Sequence, residues 1–437
     1  MDTKAPANQP FRPGQIVPAT IKLMILLVAA LVLGFACTHV SAETFDPLAA
    51  TETYLKSLAP EARAKSDAYF EGNYYLQVFN LVVGLLISWI FLQFRITVKI
   101  RDLAERIFKR KFAQGVVFII LFTTVSSLVN LPWEYYTGFV REHHYDLSNL
   151  TTRGWFSEQF KGLFIGLIMG SLLLPLLYVI LRKWPRGWWV RAAVVTPCLL
   201  FVFIVIAPVF IAPAFNTYKS LANGPIRDQI LSMARANGVP TDNVYQFDAS
   251  LQSKRISANV SGAFGTIRVS LNDNLLQRCT PQEIQAVMGH ELGHYVLNHV
   301  YKLVIYSSLV FGAGFAFTNW FCHSVFRRWG AQWGLRGIDD YAGLPVLMAG
   351  LSIFMFFATP INNSIVRTTE AEADIFGLNA ARQPDGFAST ALKLSEYRKL
   401  SPGPWEEIFF YDHPSGRNRI LMAMKWKAEH LPEQTGM

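Results

Sequence analysis

Long apolar runs separated by polar loops dominate the chain. A helix needs about 20 predominantly apolar residues to cross a bilayer. Seven runs meet or approach that length, at residues 21–40, 76–94, 115–131, 163–181, 192–212, 303–321 and 344–361. The pattern therefore predicts a mainly α-helical, polytopic membrane protein with about seven transmembrane helices.

The first apolar run has two interpretations. Lys22 precedes a short apolar stretch, and Val40, Ser41 and Ala42 form a sequence that signal peptidase could cleave. We favour a retained membrane helix, and cleavage of this segment stays open as the alternative.

Two stretches lack apolar runs of this length and form the soluble part of the chain. The resulting division is an N-terminal membrane region with five candidate helices at 1–212, a soluble segment at 213–302, two further membrane helices at 303–361 and a C-terminal segment at 362–437. The first soluble segment alternates helical and strand-like patterns, with a helix at 225–237 and strands at 243–247 and 266–270. A small α/β domain is therefore predicted beside the membrane.

The same segment ends in a helix predicted over residues 281–298. Thr280 stands at the N-cap position, Pro281 in the first turn, and Glu283 at the position that completes a capping box. These local signals define where the helix starts, which apolar periodicity alone does not.

This helix carries an H-E-x-x-H pattern, His290-Glu291-Leu292-Gly293-His294. Residues four apart lie about 40° apart around a helix axis, so the two imidazoles face the same side. Two imidazoles can hold a zinc ion, and Glu291 can take a proton from a zinc-activated water. Gly293 allows another element to approach the helix closely. A third ligand is still needed.

The third ligand is predicted after the last apolar run. His299 is nearer, but on a continuous helix it would face about 180° away from His290. Glu370 and Asp374 share a helix face, so Glu370 could bind the metal while Asp374 accepts a hydrogen bond from a ligand imidazole. Glu372 points to the opposite side and is ranked below Glu370.

A weaker pattern follows near the C-terminus, where His413 is followed six residues later by Arg419. A cationic or hydrogen-bonding pair could stabilise the oxyanion formed when an amide is attacked. A turn followed by a basic surface helix explains the same residues equally well.

Charge supports the membrane interpretation. Only 16% of residues are charged, against about 25% in soluble proteins. The net charge of +9 comes largely from loops next to apolar runs, so we interpret it as a topology signal and expect no nucleic-acid partner. The basic loops lie at 95–111, 182–191 and 327–336, whereas the loops at 43–75 and 133–161 hold at least as many acids as bases. The positive-inside rule then puts both soluble segments on the side opposite the cytoplasm.

These residues together resemble a known family, the Ste24-type (M48) membrane zinc metalloproteases, or CAAX prenyl endopeptidases. The resemblance covers nearly the whole chain. It is carried by residues 132–142, 211–216 and 253–255 with Asn259 and Gly262, by the H-E-x-x-H, by 370–374, and by His413-Pro414 with Arg419.

The resemblance implies one Zn²⁺ per chain, seven helices around a water-filled chamber, and a small gluzincin-like α/β domain. It also implies a role for eight residues. They are His290, His294 and Glu370 as zinc ligands, Glu291 as general base, Asp374 as hydrogen-bond partner of a ligand histidine, Asn259 as contact for the substrate backbone, and His413 and Arg419 as stabilisers of the tetrahedral intermediate.

The expected function is a zinc endopeptidase of the lipid bilayer, with a peptide or protein substrate cut near its C-terminus, with or without a lipid modification. The alternatives are an HtpX-like quality-control protease and a non-enzymatic membrane protein with a structural zinc. In a bacterium the chain would lie in the inner membrane. Family analogy puts the catalytic segments in the cytosol, opposite to the charge rule, and the sequence leaves the oligomeric state open. The chain departs from the family pattern at residues 143–148 and at Val366.

Overall fold

Membrane-length helices form most of the structure, a computed structural model that describes residues 45–262 and 267–431. In those two ranges, six helices are long and apolar enough to cross a bilayer. They span Pro60–Gln93, Lys111–His144, Thr152–Lys183, Trp188–Phe215, His299–Trp333 and Tyr341–Ala381. Each contains one of the predicted apolar runs, which confirms the polytopic architecture. The first run, at 21–40, lies outside the described residues.

The elements alternate between membrane helices and a small soluble unit. In chain order they are α1 (Pro47–Ser57), α2 (Pro60–Gln93), α3 (Ile96–Ile107), α4 (Lys111–Tyr135, continuing to His144), α5 (Thr152–Lys183), α6 (Trp188–Ile206, continuing to Phe215), β1 (Tyr218–Ser220), α7 (Pro225–Ala236), β2 (Val244–Phe247), β3 (Ala258–Ser261), β4 (Arg268–Asn272), α8 (Asp273–Arg278), α9 (Pro281–Val296), α10 (His299–Val325, continuing to Trp333), α11 (Leu344–Ala381), α12 (Pro384–Leu394), α13 (Pro404–Phe410) and α14 (Gly416–His430).

Three of the membrane helices, α2, α4 and α5, bury residues near their ends and none in the middle. No residue of α2 is buried between Tyr69 and Phe91, and the same holds in α4 between Phe122 and Arg141, and in α5 between Trp155 and Pro175. Helices packed into a solid bundle would bury a stripe along their whole length. These helices instead pack against their neighbours near both ends and bury no residues in between, as expected of helices that enclose a chamber.

One closed end holds the basic loops. Arg101 donates to Asp340 at 2.6 Å, Arg336 donates to Glu105 at 2.7 Å, and Tyr341 packs between the helices with its ring 5.3 Å from the Arg182 guanidinium. The basic segments at 95–111, most of which forms α3, at 182–191 and at 327–336 therefore meet at the end of the helices away from the soluble unit.

The other end carries a four-stranded sheet in the order β1-β2-β4-β3. Strands β2 and β4 pair in parallel, and the two outer strands pair antiparallel to them. The buried side chains of Val244, Val269 and Leu271 pack with Ile230 of α7 and Met288 of α9. The predicted α/β domain is thus confirmed, and β3 is its edge strand on the side of α9.

Two features differ from the sequence analysis. The described part of the predicted loop at 43–75 is mostly helical: Asp46 caps α1 through a bond from Leu48, and α2 starts at Pro60, well before its apolar part. In addition, α11 crosses the predicted border at 361/362 without interruption. The division of the chain into domains stays a prediction, and a single helix connects the last two of its parts.

Candidate metal centre

Helix α9 begins where its capping residues predict. The Thr280 hydroxyl accepts from the Glu283 backbone at 3.3 Å, and the Glu283 carboxylate accepts from the Thr280 backbone at 2.7 Å. The Glu283 carboxylate also accepts from Lys393 and Ser389, which ties the helix start to α12. The H-E-x-x-H lies in the following turns and is held rigidly from its N-terminal side.

Helix α11 crosses α9 with the two backbones almost in contact. A Cβ at Gly377 would lie 2.7 Å from the His290 backbone nitrogen, and one at Gly289 would lie 2.9 Å from the Gly377 carbonyl. At Gly293 the nearest atoms belong to Ala373 and Phe376 of α11, as the sequence analysis expected of this glycine. Only glycine permits such an approach. The crossing brings Glu370 to the H-E-x-x-H.

Three ligand atoms converge at this crossing. The Nε2 atoms of His290 and His294 are 3.1 Å apart, and the Glu370 carboxylate oxygens lie 3.2 Å from the first and 3.5 Å from the second. All three groups offer atoms within 4.8 Å of one another. The Oε2 atom of Glu370 is buried and accepts no hydrogen bond of acceptable geometry from the described residues. A buried carboxylate oxygen needs a partner, so the donor set fits a metal ion.

The electrostatics of the site also fit a cation. Burial lowers the pKa of His290, but the hydrogen bond with Asp374 and the nearby Glu370 carboxylate raise it to about 10. The surroundings of this ring therefore favour a positive charge. Burial, assisted by the neighbouring His290, lowers the pKa of the His294 imidazole to about 4, so this ring is neutral at physiological pH, as a metal ligand must be.

Asp374 lies directly behind His290, as predicted. Its Oδ1 atom is 2.7 Å from His290 Nδ1. The Arg419 guanidinium donates one bond to each carboxylate oxygen of Asp374, at 2.9 Å to Oδ2 and 2.5 Å to Oδ1. Asp374 is fully buried, and Arg419 is almost so. Arg419 thus contacts Asp374, and its predicted role at the oxyanion stays a prediction.

The expected orientation of His299 is wrong. Helix α9 ends at Val296, Asn298 adopts a left-handed backbone conformation with φ 57°, and a new helix begins at His299. The argument from a continuous helix therefore fails. His299 Nδ1 lies 2.9 Å from Nδ1 of the ligand His294, and its Nε2 lies 3.0 Å from Glu372. Asparagine before a second histidine was the available signal, because Asn is enriched at left-handed helix ends.

Glu291 is placed beside the metal centre in a closed environment. Burial raises the pKa of its carboxyl to about 7, and the adjacent His290 partly opposes this shift. Glu291 and His290 line a cavity of about 210 Å³, whose walls include the apolar side chains of Ala286, Phe387 and Leu394. A carboxylate of this kind can take up and return a proton near neutral pH.

His413 approaches the site directly, whereas Asn259 lies in the strand next to α9. His413 Nε2 lies 3.2 Å from Glu370 Oε2, and its Nδ1 contacts Asp412 at 2.8 Å. Its loop is fixed by Arg367, which donates to the Tyr411 carbonyl at 2.6 Å. Asn259 lies in the edge strand β3, opposite Ser270 of β4. All eight site residues named from the sequence thus come from the elements around α9.

Two protein-family models match the chain over adjacent ranges. The model described as "CAAX prenyl protease N-terminal, five membrane helices" matches residues 48–217, and the model for peptidase family M48 matches residues 220–427. The chain belongs to peptidase family M48.

Relatives of this M48 protein include both uncharacterised and named proteases. The chain is 28% identical over 379 residues to the uncharacterized metalloprotease YhfN of Bacillus subtilis, covering 86% of this chain and 88% of the relative. It is 26% identical to CAAX prenyl protease 1 of Saccharomyces cerevisiae, covering 82% and 84%. The human CAAX prenyl protease 1 homolog is also 26% identical, covering 73% of this chain and 75% of the relative.

A solved structure has the same fold as this M48 protein. The crystal structure of S. mikatae Ste24p superimposes with a TM-score of 0.72 at 24% identity, covering 95% of this chain and all of the other. This likeness shows a shared fold. Together with the two family models and the CAAX prenyl protease relatives, it identifies the chain as a Ste24-type integral membrane metalloprotease with several transmembrane helices. Family membership implies a metal, and the His290, His294 and Glu370 site could hold it.

Proposed function

We propose that the chain is a zinc-dependent endopeptidase that cuts peptides or membrane proteins near their C-termini. The observation that carries the proposal is the convergence of His290, His294 and Glu370, with Glu291 on the same helix as the two histidines and lining a partly open cavity. Two imidazoles and one carboxylate are a ligand set typical of catalytic zinc, which keeps its fourth position open.

The chemistry divides between the metal and the protein. When bound at this site, zinc would polarise the scissile carbonyl and make a water molecule nucleophilic near neutral pH. Glu291 is the group that accepts the proton of the attacking water and returns it to the leaving amine. His413 carries a ring nitrogen next to the ligand carboxylate, in position to donate to the developing oxyanion. Arg419 would act through Asp374, and in this way support His290.

The substrate is proposed to pair with the free edge of β3. An extended peptide can add a strand to an exposed sheet edge, with Asn259 contacting its backbone. Strand β3 runs from Ala258, which lines the 210 Å³ cavity, to Val260 and Ser261, which line a second cavity of about 400 Å³. An antiparallel peptide would then have its C-terminal part in the first cavity.

The two cavities differ in the chemistry of their walls. The first also contains Arg398, a cation that suits a C-terminal carboxylate; among the described residues it makes no salt bridge within 4 Å, although its charge acts on Asp412. The second lies between the membrane helices α6 and α10 and is lined by side chains such as Val205 and Tyr301. An apolar chain on the substrate could enter there. Relatives named CAAX prenyl proteases agree with such substrates, whereas the quality-control and structural-zinc alternatives have no comparable support.

The role of Glu291 is tested by Glu291→Gln in the full chain. We expect one bound zinc per chain and a fall in cleavage of at least about 100-fold, because the amide cannot accept the proton. Zinc is measured by elemental analysis, and cleavage with a fluorogenic peptide. Wild-type cleavage by this variant would contradict the proposal. His323→Phe, an exposed substitution remote from α9, controls for handling and for loss of a histidine.

The substrate is tested with the same inactive variant. Trapping in native membranes, followed by identification of bound peptides, would reveal the natural substrate class. Matched peptides with a free or an amidated C-terminus, each with and without a prenyl group, separate the two cavities. Equal cleavage of all four peptides would show that neither the free C-terminus nor the prenyl group is recognised, and the protein would then be a general endopeptidase.

A further inference from the structure

His299 is a buried histidine that lies directly behind a predicted metal ligand. Only 1% of its surface is exposed, and its Nδ1 lies 2.9 Å from Nδ1 of His294. The break at Asn298 creates this contact, since it turns the start of α10 back toward the last turn of α9. A packing role alone would not require ring nitrogens to face each other.

The second nitrogen of His299 also has a partner. Its Nε2 is 3.0 Å from the Glu372 carboxylate, which in turn accepts from Lys302 at 2.5 Å. Glu372 lies two residues beyond Glu370 on α11, on a different side of that helix. Helix α11 therefore contacts the histidines at this crossing through two carboxylates: Glu370 lies against His290 and His294, and Glu372 lies against His299.

The hydrogen positions follow from these contacts. A carboxylate only accepts, so the proton of neutral His299 is on Nε2, facing Glu372. Its Nδ1 is then an acceptor, and the contact with His294 is a hydrogen bond only if His294 carries its proton on Nδ1. That tautomer leaves the Nε2 lone pair of His294 facing His290 and Glu370, where a metal would bind.

We propose that His299 is a positioning residue that fixes His294 in the metal-binding tautomer, with Glu372 fixing His299 in turn. The inference rests on the metal site of the proposed function. The two ligand histidines are then oriented by different groups. His290 donates to the carboxylate of Asp374, whereas His294 donates to a neutral imidazole, so only one ring has a carboxylate directly behind it. Groups of this kind are typically worth 10- to 100-fold in metal affinity.

Zinc affinity of the full chain, measured by competition with a chromophoric chelator, tests the assignment. His299→Leu removes the acceptor and keeps an apolar side chain of moderate size. We expect its affinity for zinc to fall about 10- to 100-fold. His299→Asn restores a hydrogen-bond acceptor near the place of Nδ1 and should recover much of that loss. Glu372→Gln keeps a hydrogen-bond acceptor for His299 and removes only the negative charge, so it should show a smaller effect. His323→Phe should show none.

The comparison of the Leu and Asn variants decides the result. If both bind zinc as tightly as the wild type, or if both are weakened equally, His299 acts by packing or not at all, and the assignment is overturned. The absorption spectrum of the cobalt-substituted protein gives a second measure, because it reports the ligand geometry and should shift only in His299→Leu. No peptide is used, so zinc binding without any cleavage would overturn the protease function and not this assignment.

Discussion

Each of the two proposed ligand imidazoles contacts a buried partner. The partner of His290 is a charged carboxylate, whose burial costs more free energy than that of the imidazole partner of His294. Asp374 is completely buried and carries contacts to both His290 and Arg419. Burial of a carboxylate is tolerated only when it is paired and hydrogen-bonded. Arg419 therefore has a structural reason to be near the metal centre, whatever it contributes to the reaction.

Replacing Asp374 with Asn is predicted to affect stability and metal binding together. The substitution leaves the Arg419 guanidinium buried without a counter-charge, which costs about 3–5 kcal/mol in the free energy of unfolding. It also weakens the acceptor of His290, so zinc affinity should fall about 10- to 100-fold. Thermal unfolding in detergent and chelator competition measure the two effects.

A double variant separates these two effects. Asp374→Leu with Arg419→Leu removes both charges, so much of the stability should return, while zinc affinity stays low because His290 still lacks its acceptor. Recovery of zinc affinity in the double variant would show that Asp374 serves the fold rather than the ligand.

Glycine positions set the distance between α9 and α11, and hence the distance between the H-E-x-x-H and Glu370. Gly377→Ala would place a methyl group 2.7 Å from the His290 backbone nitrogen, and no flexible side chain is there to move aside. We expect a loss of about 1–3 kcal/mol in stability together with weaker zinc binding, because the helices must separate. The same substitution at Gly166 of α5, which has open space around its α-carbon, is the matched control. Unchanged zinc binding in Gly377→Ala would show that the crossing tolerates separation.

At the scale of elements, sequence patterns located starts better than ends. The start of α9 follows from Thr280 and Pro281, whose effect is local, and the structure confirms it. Its end at Val296 is harder to predict, because Leu297 continues the apolar pattern and Asn298, which favours a left-handed conformation, is a weaker local signal than a capping box. The helical segment at 47–75 was missed for a different reason: its signals are the caps at Asp46 and Pro60, and apolar runs do not report them.

At the scale of the whole molecule, the metal centre joins segments that enter and leave a pair of membrane helices. His294 precedes α10, and Glu370 lies in the last turns of α11. Sequence motifs identify these residues but not the glycine crossing that brings them together. A bound metal would therefore connect α9 with α11 as well as activate water.

Removal of the metal is predicted to lower the thermal stability of the full chain. A ligand present at 1,000 times its Kd stabilises the folded state by about 4 kcal/mol. Treatment with a chelator, followed by thermal unfolding in detergent, should therefore lower the Tm, and added zinc should restore it. His294→Ala should start at the lower Tm and respond to neither treatment. A chelator effect of equal size in His294→Ala would place the responsible metal elsewhere.

The orientation of the molecule follows from which end carries the basic loops. Arg101, Arg182 and Arg336 meet at one end, and the metal centre is at the other. Because short basic loops stay in the cytoplasm, we predict that the catalytic end faces away from it, against the family analogy. In a bacterial host, alkaline phosphatase fused after residue 431 should be active and a green fluorescent protein fused there should be dark. Fusions after Arg186, in a basic loop, should give the reverse pattern. If both fusion positions gave the same result, the six-helix arrangement would be contradicted. If the position after Arg186 were outside the cytoplasm and the position after residue 431 inside it, the long catalytic segments, rather than the short loops, would determine the topology.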